Sequence, residues 1–418
     1  MVHATCAQLL TCWRDIAIGT ALACSAAWAS YEGAHLVPSS IVDECSFDVW
    51  FNGDVVTVYS GMINRWTSHR SQFHPLFSLM TAPFVYALKL GLHIEPLTAV
   101  RILMAAAAGL WSGGMYLVLR AIGLRRFETG ILTLLAMSSA ASIIWFVVPE
   151  TWPFGSLGML LALGLVAVSE HRKIAPVWYV IASAVTLGTT VTNWMAGIIS
   201  TAVTHHWKQA AQITINAFCL VIVLWCVEKV FFPDTQLFLT PYMPEIVRHI
   251  NSADSGGPLQ AVQAFVFHSM VMPEINGYVV SLGRQPPRIA VLMSVQSSMA
   301  GSGSVWGRAS IVLLVLFFGA GLWGLVSMKQ YPRFRLALGL MLAGQFGLHL
   351  LYGAETFLYA LHWIPLLVTL GALGSLASPR RLWLVLAILL LVSTAINNGL
   401  KFRQALQVAP AAVLVCQR

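Results

Sequence analysis

Residues 46–75 read SFDVWFNGDVVTVYSGMINRWTSHRSQFHP, and whether this polar stretch lies on the same side of a membrane as a second acidic turn decides the fold. It carries Asp48, Asp54, Arg65, His69, Arg70 and His74, with Trp50, Tyr59 and Trp66 between them. The chain on either side is mostly apolar. Residues 76–92 follow, apolar but interrupted by Pro83. A run of about 17 residues is at the lower limit for crossing a bilayer, and an internal proline weakens the helix further. The run is therefore expected to be re-entrant or juxtamembrane. That leaves the polar stretch on the same side as Glu150, Glu355 and the long loop at 233–303.

Composition sets the class. Of 418 residues, 58% are hydrophobic and 10% are charged, with mean hydropathy +0.75. A soluble domain carries about 25% charged residues. The apolar runs are long and continuous rather than short and alternating, so the expectation is an all-α polytopic transmembrane bundle. Expected spans lie at 16–30, 99–119, 130–148, 154–168, 177–190, 195–203, 210–232, 305–326, 336–352, 356–376 and 382–396, about eleven in all. The pairs 177–190 and 195–203 read as short or tilted helices. The first run could also be a cleaved signal peptide ending near Ala27-Trp28-Ala29, but an uncleaved helix fits its weakly basic start better. Residues 1–232 then form an N-terminal membrane module carrying the first external loop (31–75). Residues 233–304 form an external region with an amphipathic helix over 259–272 lying on the membrane, and 305–418 a C-terminal membrane module.

The net charge of +8 does not point to nucleic acid, because the basic residues sit between apolar runs. Five clusters stand out: Arg120/Arg125/Arg126, Arg172/Lys173, Lys208, Lys329/Arg333/Arg335 and Arg380/Arg381. Alternating spans can place all five on the cytoplasmic side. Among the seven cysteines no pair has metal-ligand spacing, and there is no disulfide framework.

Three constellations carry chemistry. Asp48 and Asp54 would point roughly 240° apart on one helix, but Asn52-Gly53 between them suggests a turn that brings them together. Paired carboxylates bind a divalent ion or take a proton from a hydroxyl; the plain alternative is a pair of solvated loop acids. Arg65, Arg70 and Arg101, with His69 and His74, suit phosphate oxygens, or simply lipid headgroups. Glu150 stands in Pro149-Glu150-Thr151-Trp152-Pro153 between two apolar runs. Glu355, Tyr359 and His362 fall at i, i+4 and i+7, one face of an α-helix, and His362 lies inside an apolar run, where a titratable group is costly.

An acidic first external loop, a basic residue, and then His74-Pro75-Leu76 opening an apolar helix resemble the C-type glycosyltransferase superfamily. These are polytopic enzymes that use polyprenyl-phosphate-linked sugars, among them protein O-mannosyltransferases, aminoarabinose transferases and the catalytic subunit of oligosaccharyltransferase. Asp48 and Asp54, Arg70, Arg101 and Glu150 match the pattern, and Tyr359, His362 and Pro365 give a later echo. The resemblance covers roughly the first 160 residues and 350–370. Two departures stand: one proline follows the His where the family has two, and the family's adjacent acid pair is better matched in type by Asp43-Glu44. The resemblance implies transfer of a sugar from a lipid-linked donor to a glycan, lipid or protein acceptor outside the cytoplasm of a bacterial cell. Asp48 or Asp54 would be the general base. Arg65, Arg70 or Arg101 would face the departing phosphate, and Glu150 would orient the acceptor or share a divalent cation. The rival readings are a transporter or flippase, with the break at 190–193 and His362 on the substrate path, and a non-catalytic subunit of an envelope glycan assembly.

Overall fold

The structure is a computed structural model and describes residues 13–43, 48–66, 69–239, 250, 256–282, 288–353, 355–377 and 379–416. It is mostly helical. In chain order the first helices are α1 (Trp13–Leu36), α2 (Ser39–Asp43), α3 (Val55–Ile63), α4 (Phe77–Tyr86), α5 (Pro96–Ala121), α6 (Arg126–Met137), α7 (Ala140–Trp145) and α8 (Trp152–Ser169). Next come α9 (Pro176–Thr189), α10 (Trp194–Thr204), α11 (Trp207–Phe231) and α12 (Gly257–Gln263). A hairpin of β1 (Asn276–Leu282) and β2 (Arg288–Ser294) follows, then α13 (Val305–Ser327), α14 (Pro332–Leu351), a 3₁₀ segment Thr356–His362, α15 (Ile364–Ala377) and α16 (Arg380–Cys416).

Six of these helices are long and apolar enough to cross a membrane: α5, α8, α11, α13, α14 and α16. The 3₁₀ segment and α15, bent by 62° at their junction, make a seventh if taken as one span. The chain is an integral membrane protein, with up to seven such spans among the described residues by length and composition. Four of the eleven expected spans fall outside this set. The run at 130–148 is two helices, α6 and α7, because Ser139 caps a new helix (Oγ accepts from Ser142 N). The amides of Ala140 and Ala141 donate to Met270 and Ser269, each at 3.0 Å. α9 and α10, at 14 and 11 residues, are too short and form a helical hairpin. The run at 16–30 lies within α1, a 24-residue helix that falls outside the six by composition although it runs from Asp15 at the basic end to Ser30, whose hydroxyl donates to the Phe146 carbonyl at 2.7 Å. Residues 77–91 form a short helix with a π-turn, as their length and Pro83 imply.

The helical bundle is as expected, and one hairpin is added to it in the 233–304 region, where β1 and β2 pair antiparallel over Asn276–Leu282 and Arg288–Ser294. The 259–272 helix does not simply lie on the surface. α12 continues as a π-turn over Ala264–His268, and Phe265 stacks on Trp363 at 4.4 Å. The Trp363 indole N–H donates to the Phe265 carbonyl at 3.0 Å. Leu259 is exposed while Phe265 and His268 are buried, so the segment enters the bundle end-on. One apolar core runs through residues from Ala34 to Ala409 and joins elements from both ends of the chain.

The helices alternate in direction, and this sorts the charges. The basic clusters gather at one end. Asp15 of α1 accepts from Arg120 Nε at 2.7 Å, Arg126 Nη2 at 2.8 Å and the Tyr116 hydroxyl at 3.1 Å. Glu128 pairs with Arg380, joining α6 to α16. Glu170 accepts from the Phe334 amide at 2.8 Å, His171 packs on Tyr331, and His205 sits in the field of Arg333. The acidic loop lies at the opposite end.

Asp15 is buried and its partner Arg120 is nearly so. Removing one member of a buried ion pair strands the other, at about 3 kcal/mol. Asp15→Asn is expected to lower the midpoint of thermal unfolding in detergent, with a loss of that order.

Candidate active site

The first loop turns back on itself at Phe51 and Asn52, both in the left-handed region (φ 51° and 58°). The anticipated turn is real, but the strained residues precede Gly53. A bulky residue with positive φ persists only where its surroundings hold it. Here Phe51 is wedged against Trp50, Trp145 and Phe357, and the Trp50 indole N–H donates to the Ile144 carbonyl at 3.3 Å. The turn delivers Asp54 to the start of α3, where its carboxylate pairs with Arg70.

Gly53 is where the two halves of the site meet. A β-carbon there would stand 2.8 Å from Glu150 Oε1, 2.9 Å from the Trp145 ring and 3.0 Å from the Trp50 carbonyl. Glu150 is fully buried. Its Oε2 accepts from the Thr151 amide at 3.0 Å, while Oε1 has no protein partner. Burial, and then the charge of Asp54, push its pKa well above the usual 4.5 and favour its protonated form. Asp48, whose surface is still open to solvent, is raised to about 7 by burial first and by Asp54 second, against the pull of Arg70. Asp48, Asp54, Arg70 and Glu150 therefore share one electrostatic field.

His74 fastens this end of the chain to the α9–α10 break. Its Nδ1 lies 2.7 Å from the Thr189 carbonyl, which can only accept, so Nδ1 holds the proton and Nε2 accepts from Thr151 Oγ1 at 3.3 Å. Burial lowers its pKa to about 4, which keeps the ring neutral. The amide of Leu76 donates to Gly188 at 2.8 Å and that of Val191 to Phe73 at 3.0 Å. Both nitrogens of His74 are thus taken by protein groups, and the ring positions the loop instead of offering a charge to phosphate. The break at 190–193 has the same explanation: its backbone is satisfied by residues 73–76.

Trp152 is the hub that the sequence did not reveal. Its ring meets His74 at 5.7 Å, Tyr359 at 4.9 Å and His362 at 5.3 Å, all edge-on. The expectation that Glu355, Tyr359 and His362 share a face is corrected. The segment is a 3₁₀ helix, with three residues per turn, so Tyr359 and His362 eclipse each other and face Trp152, while Glu355 turns away. The Glu355 carboxylate accepts from the Ser294 hydroxyl and, at 3.4 Å, from the Val295 amide at the end of β2. The hairpin also donates from Tyr278 to Asn52 at 2.9 Å and from Met293 N to the Val49 carbonyl at 3.1 Å, so it roofs the acidic loop.

The remaining candidates are scattered. Arg65 is exposed and lies over Trp66. Arg101 sits 3.3 Å from His35 Nδ1, in a second charged cluster with Tyr59, Glu95 and Asp43. The side chain of His69 and all of Glu44 lie outside the described residues. Behind Trp152, Asn193 Oδ1 accepts from Gln345 Nε2 at 3.0 Å, and Asn193 Nδ2 and His362 Nε2 both crowd Gly155. A glutamine inside an apolar run was the signal that could have found this group. Among the described residues, no three His, Cys, Asp or Glu side chains gather as a metal site. Beside Arg70, His74 and Thr151 is a cavity of about 20 Å³, room for about one water.

Two outcomes follow. Gly53→Ala forces the turn off Glu150 and is expected to cost about 1–3 kcal/mol by overpacking, visible in thermal unfolding. Glu355, ordinarily near 4.5, is raised to about 7 by burial. The folded state keeps a proton there that the unfolded chain loses. This contribution makes stability fall as pH rises from about 4.5 to about 7 and then level off, and Glu355→Gln should flatten that slope in unfolding measured across pH. Set beside known proteins, the chain matches no family model, no curated protein and no solved structure.

Proposed function

We propose that this protein is an inverting membrane glycosyltransferase that moves a sugar from a polyprenyl-phosphate donor to a hydroxyl of a glycan, lipid or protein acceptor. One observation carries this reading: Asp48, Asp54 and Glu150, from distant parts of the chain, share a field with Arg70 at one end of the bundle. The likeness of the first loop to C-type enzymes supports it. The positive-inside rule puts the basic end in the cytoplasm and the site outside it, as in the inner membrane of a bacterium.

Each group has a task in the proposed step. Asp48, with a pKa of about 7, takes the proton of the acceptor hydroxyl. The oxygen attacks the anomeric carbon as the bond to the phosphate oxygen breaks, and the electron pair leaves on the polyprenyl phosphate. Arg70 exchanges Asp54 for that phosphate and stabilises the charge building there. Glu150, protonated and with Oε1 unclaimed, donates a hydrogen bond to a sugar or acceptor oxygen. A sugar needs a pocket of at least ~300 Å³, against the cavity of about 20 Å³ beside Arg70. Donor entry therefore parts the β1–β2 roof from the first loop.

The test is transfer by purified protein in nanodiscs, with a panel of polyprenyl-phosphate sugars and release of polyprenyl phosphate as the readout. The rate should rise with pH through about 7, and Asp48→Asn should remove that limb and cut the rate by roughly 10²–10⁴-fold. An unchanged rate in both Asp48→Asn and Asp54→Asn overturns the assignment of the base. Flux of an intact lipid-linked sugar across vesicles with no covalent product overturns the enzyme reading.

A further inference from the structure

At the basic end of the bundle, α5 and α9 flank α8 and leave an open groove of about 770 Å³. Its length is apolar, lined by Leu117, Leu161 and Trp178 among others, with Gly164 of α8 packed against the Val118 side chain of α5. Leu117, Leu161 and Trp178 are exposed, so the groove faces whatever surrounds the protein. Its mouth is different: Arg172 and Lys173 stand there, both exposed. Among the described residues neither side chain has an acidic partner. Glu170, the nearest acid in sequence, is turned away to the Phe334 amide. Trp178, one turn into α9, marks the depth at which indoles sit between headgroups and acyl chains.

An apolar channel whose open end holds two exposed cations matches a molecule with a long hydrocarbon tail and an anionic head. A zwitterionic head would satisfy the channel but not the mouth. We infer that the α5–α8–α9 groove is a binding site for an anionic phospholipid of the leaflet at the basic end, with an acyl chain along Leu117 and Leu161 and the phosphate between Arg172 and Lys173. The mouth of the groove lies at the opposite end of α8 from Trp152, and none of the acid cluster lines the groove. The inference does not depend on the proposed transfer reaction.

The experiment uses the full chain in nanodiscs made of equal parts phosphatidylglycerol and phosphatidylcholine. The protein is then extracted into mild detergent, and the lipids still bound are counted by native mass spectrometry. Wild type should retain phosphatidylglycerol selectively. Both cations contribute attraction to an anionic surface, so Arg172→Gln with Lys173→Gln should reduce that selectivity roughly 30-fold. Leu117→Trp, which fills the exposed channel and leaves the cations in place, should reduce retention of both lipids. Equal retention of the two lipids by wild type, or unchanged selectivity in the double variant, overturns the inference. Thermal unfolding of each variant in lipid-free detergent should match wild type, since all three positions are exposed; a variant that unfolds early is replaced by Arg172→Lys with Lys173→Gln, for which half the effect is expected.

Discussion

A fully buried carboxyl group is the constraint on which this structure turns. Glu150 is fully buried, and its open oxygen faces a glycine because nothing larger fits. For that contact to exist, the first loop must fold back through two left-handed residues, and Phe51 must be held there by three aromatic neighbours. The same contact brings the charge of Asp54 near enough to suppress ionisation of both Glu150 and Asp48. Burial and repulsion act in the same sense here, so the cluster holds protons that isolated carboxylates would have lost. Such a cluster is suited to moving a proton to or from a hydroxyl.

The bundle meets this demand by keeping charge at its two ends. Between them, every backbone group must find a partner, because lipid offers none. Where a helix stops short, another segment takes up its orphaned groups. Residues 73–76 do so for the α9–α10 break, and 269–270 for the α6–α7 break. Asn398 of α16 secures the second of these, donating to Ser138 and Met270 at 2.8 Å each and accepting from the Met272 amide at 2.8 Å. The breaks are thus joints, and they set the height at which Trp152, Tyr359 and His362 meet.

This arrangement also separates two roles that basic residues play in a membrane protein. Arg120, Arg126 and Arg380 are consumed in ion pairs with Asp15 and Glu128, and they tie α1, α5, α6 and α16 together. Arg172 and Lys173, at the same end, are left exposed beside an apolar channel. Charge of one sign therefore serves cohesion at one place and recognition at the next, depending on whether a carboxylate lies within reach.

Hydropathy and charge alone determined the class of this protein, the sorting of its basic clusters to one end, and the shortness of 77–91. Each depends on how a segment partitions between water and lipid, which is a property of local composition. The turn between Asp48 and Asp54 was legible too, because Asn52-Gly53 announced it, whereas the approach of Glu150 to Gly53 was not. Tertiary structure alone decided where long apolar runs break, since a break is stable only if a distant segment supplies its hydrogen bonds. It also decided that residues 356–362 wind as a 3₁₀ helix, which turns Glu355 to the hairpin and leaves Tyr359 and His362 on Trp152. The handedness and pitch of a single turn depend on what packs against it, and that information lies elsewhere in the chain.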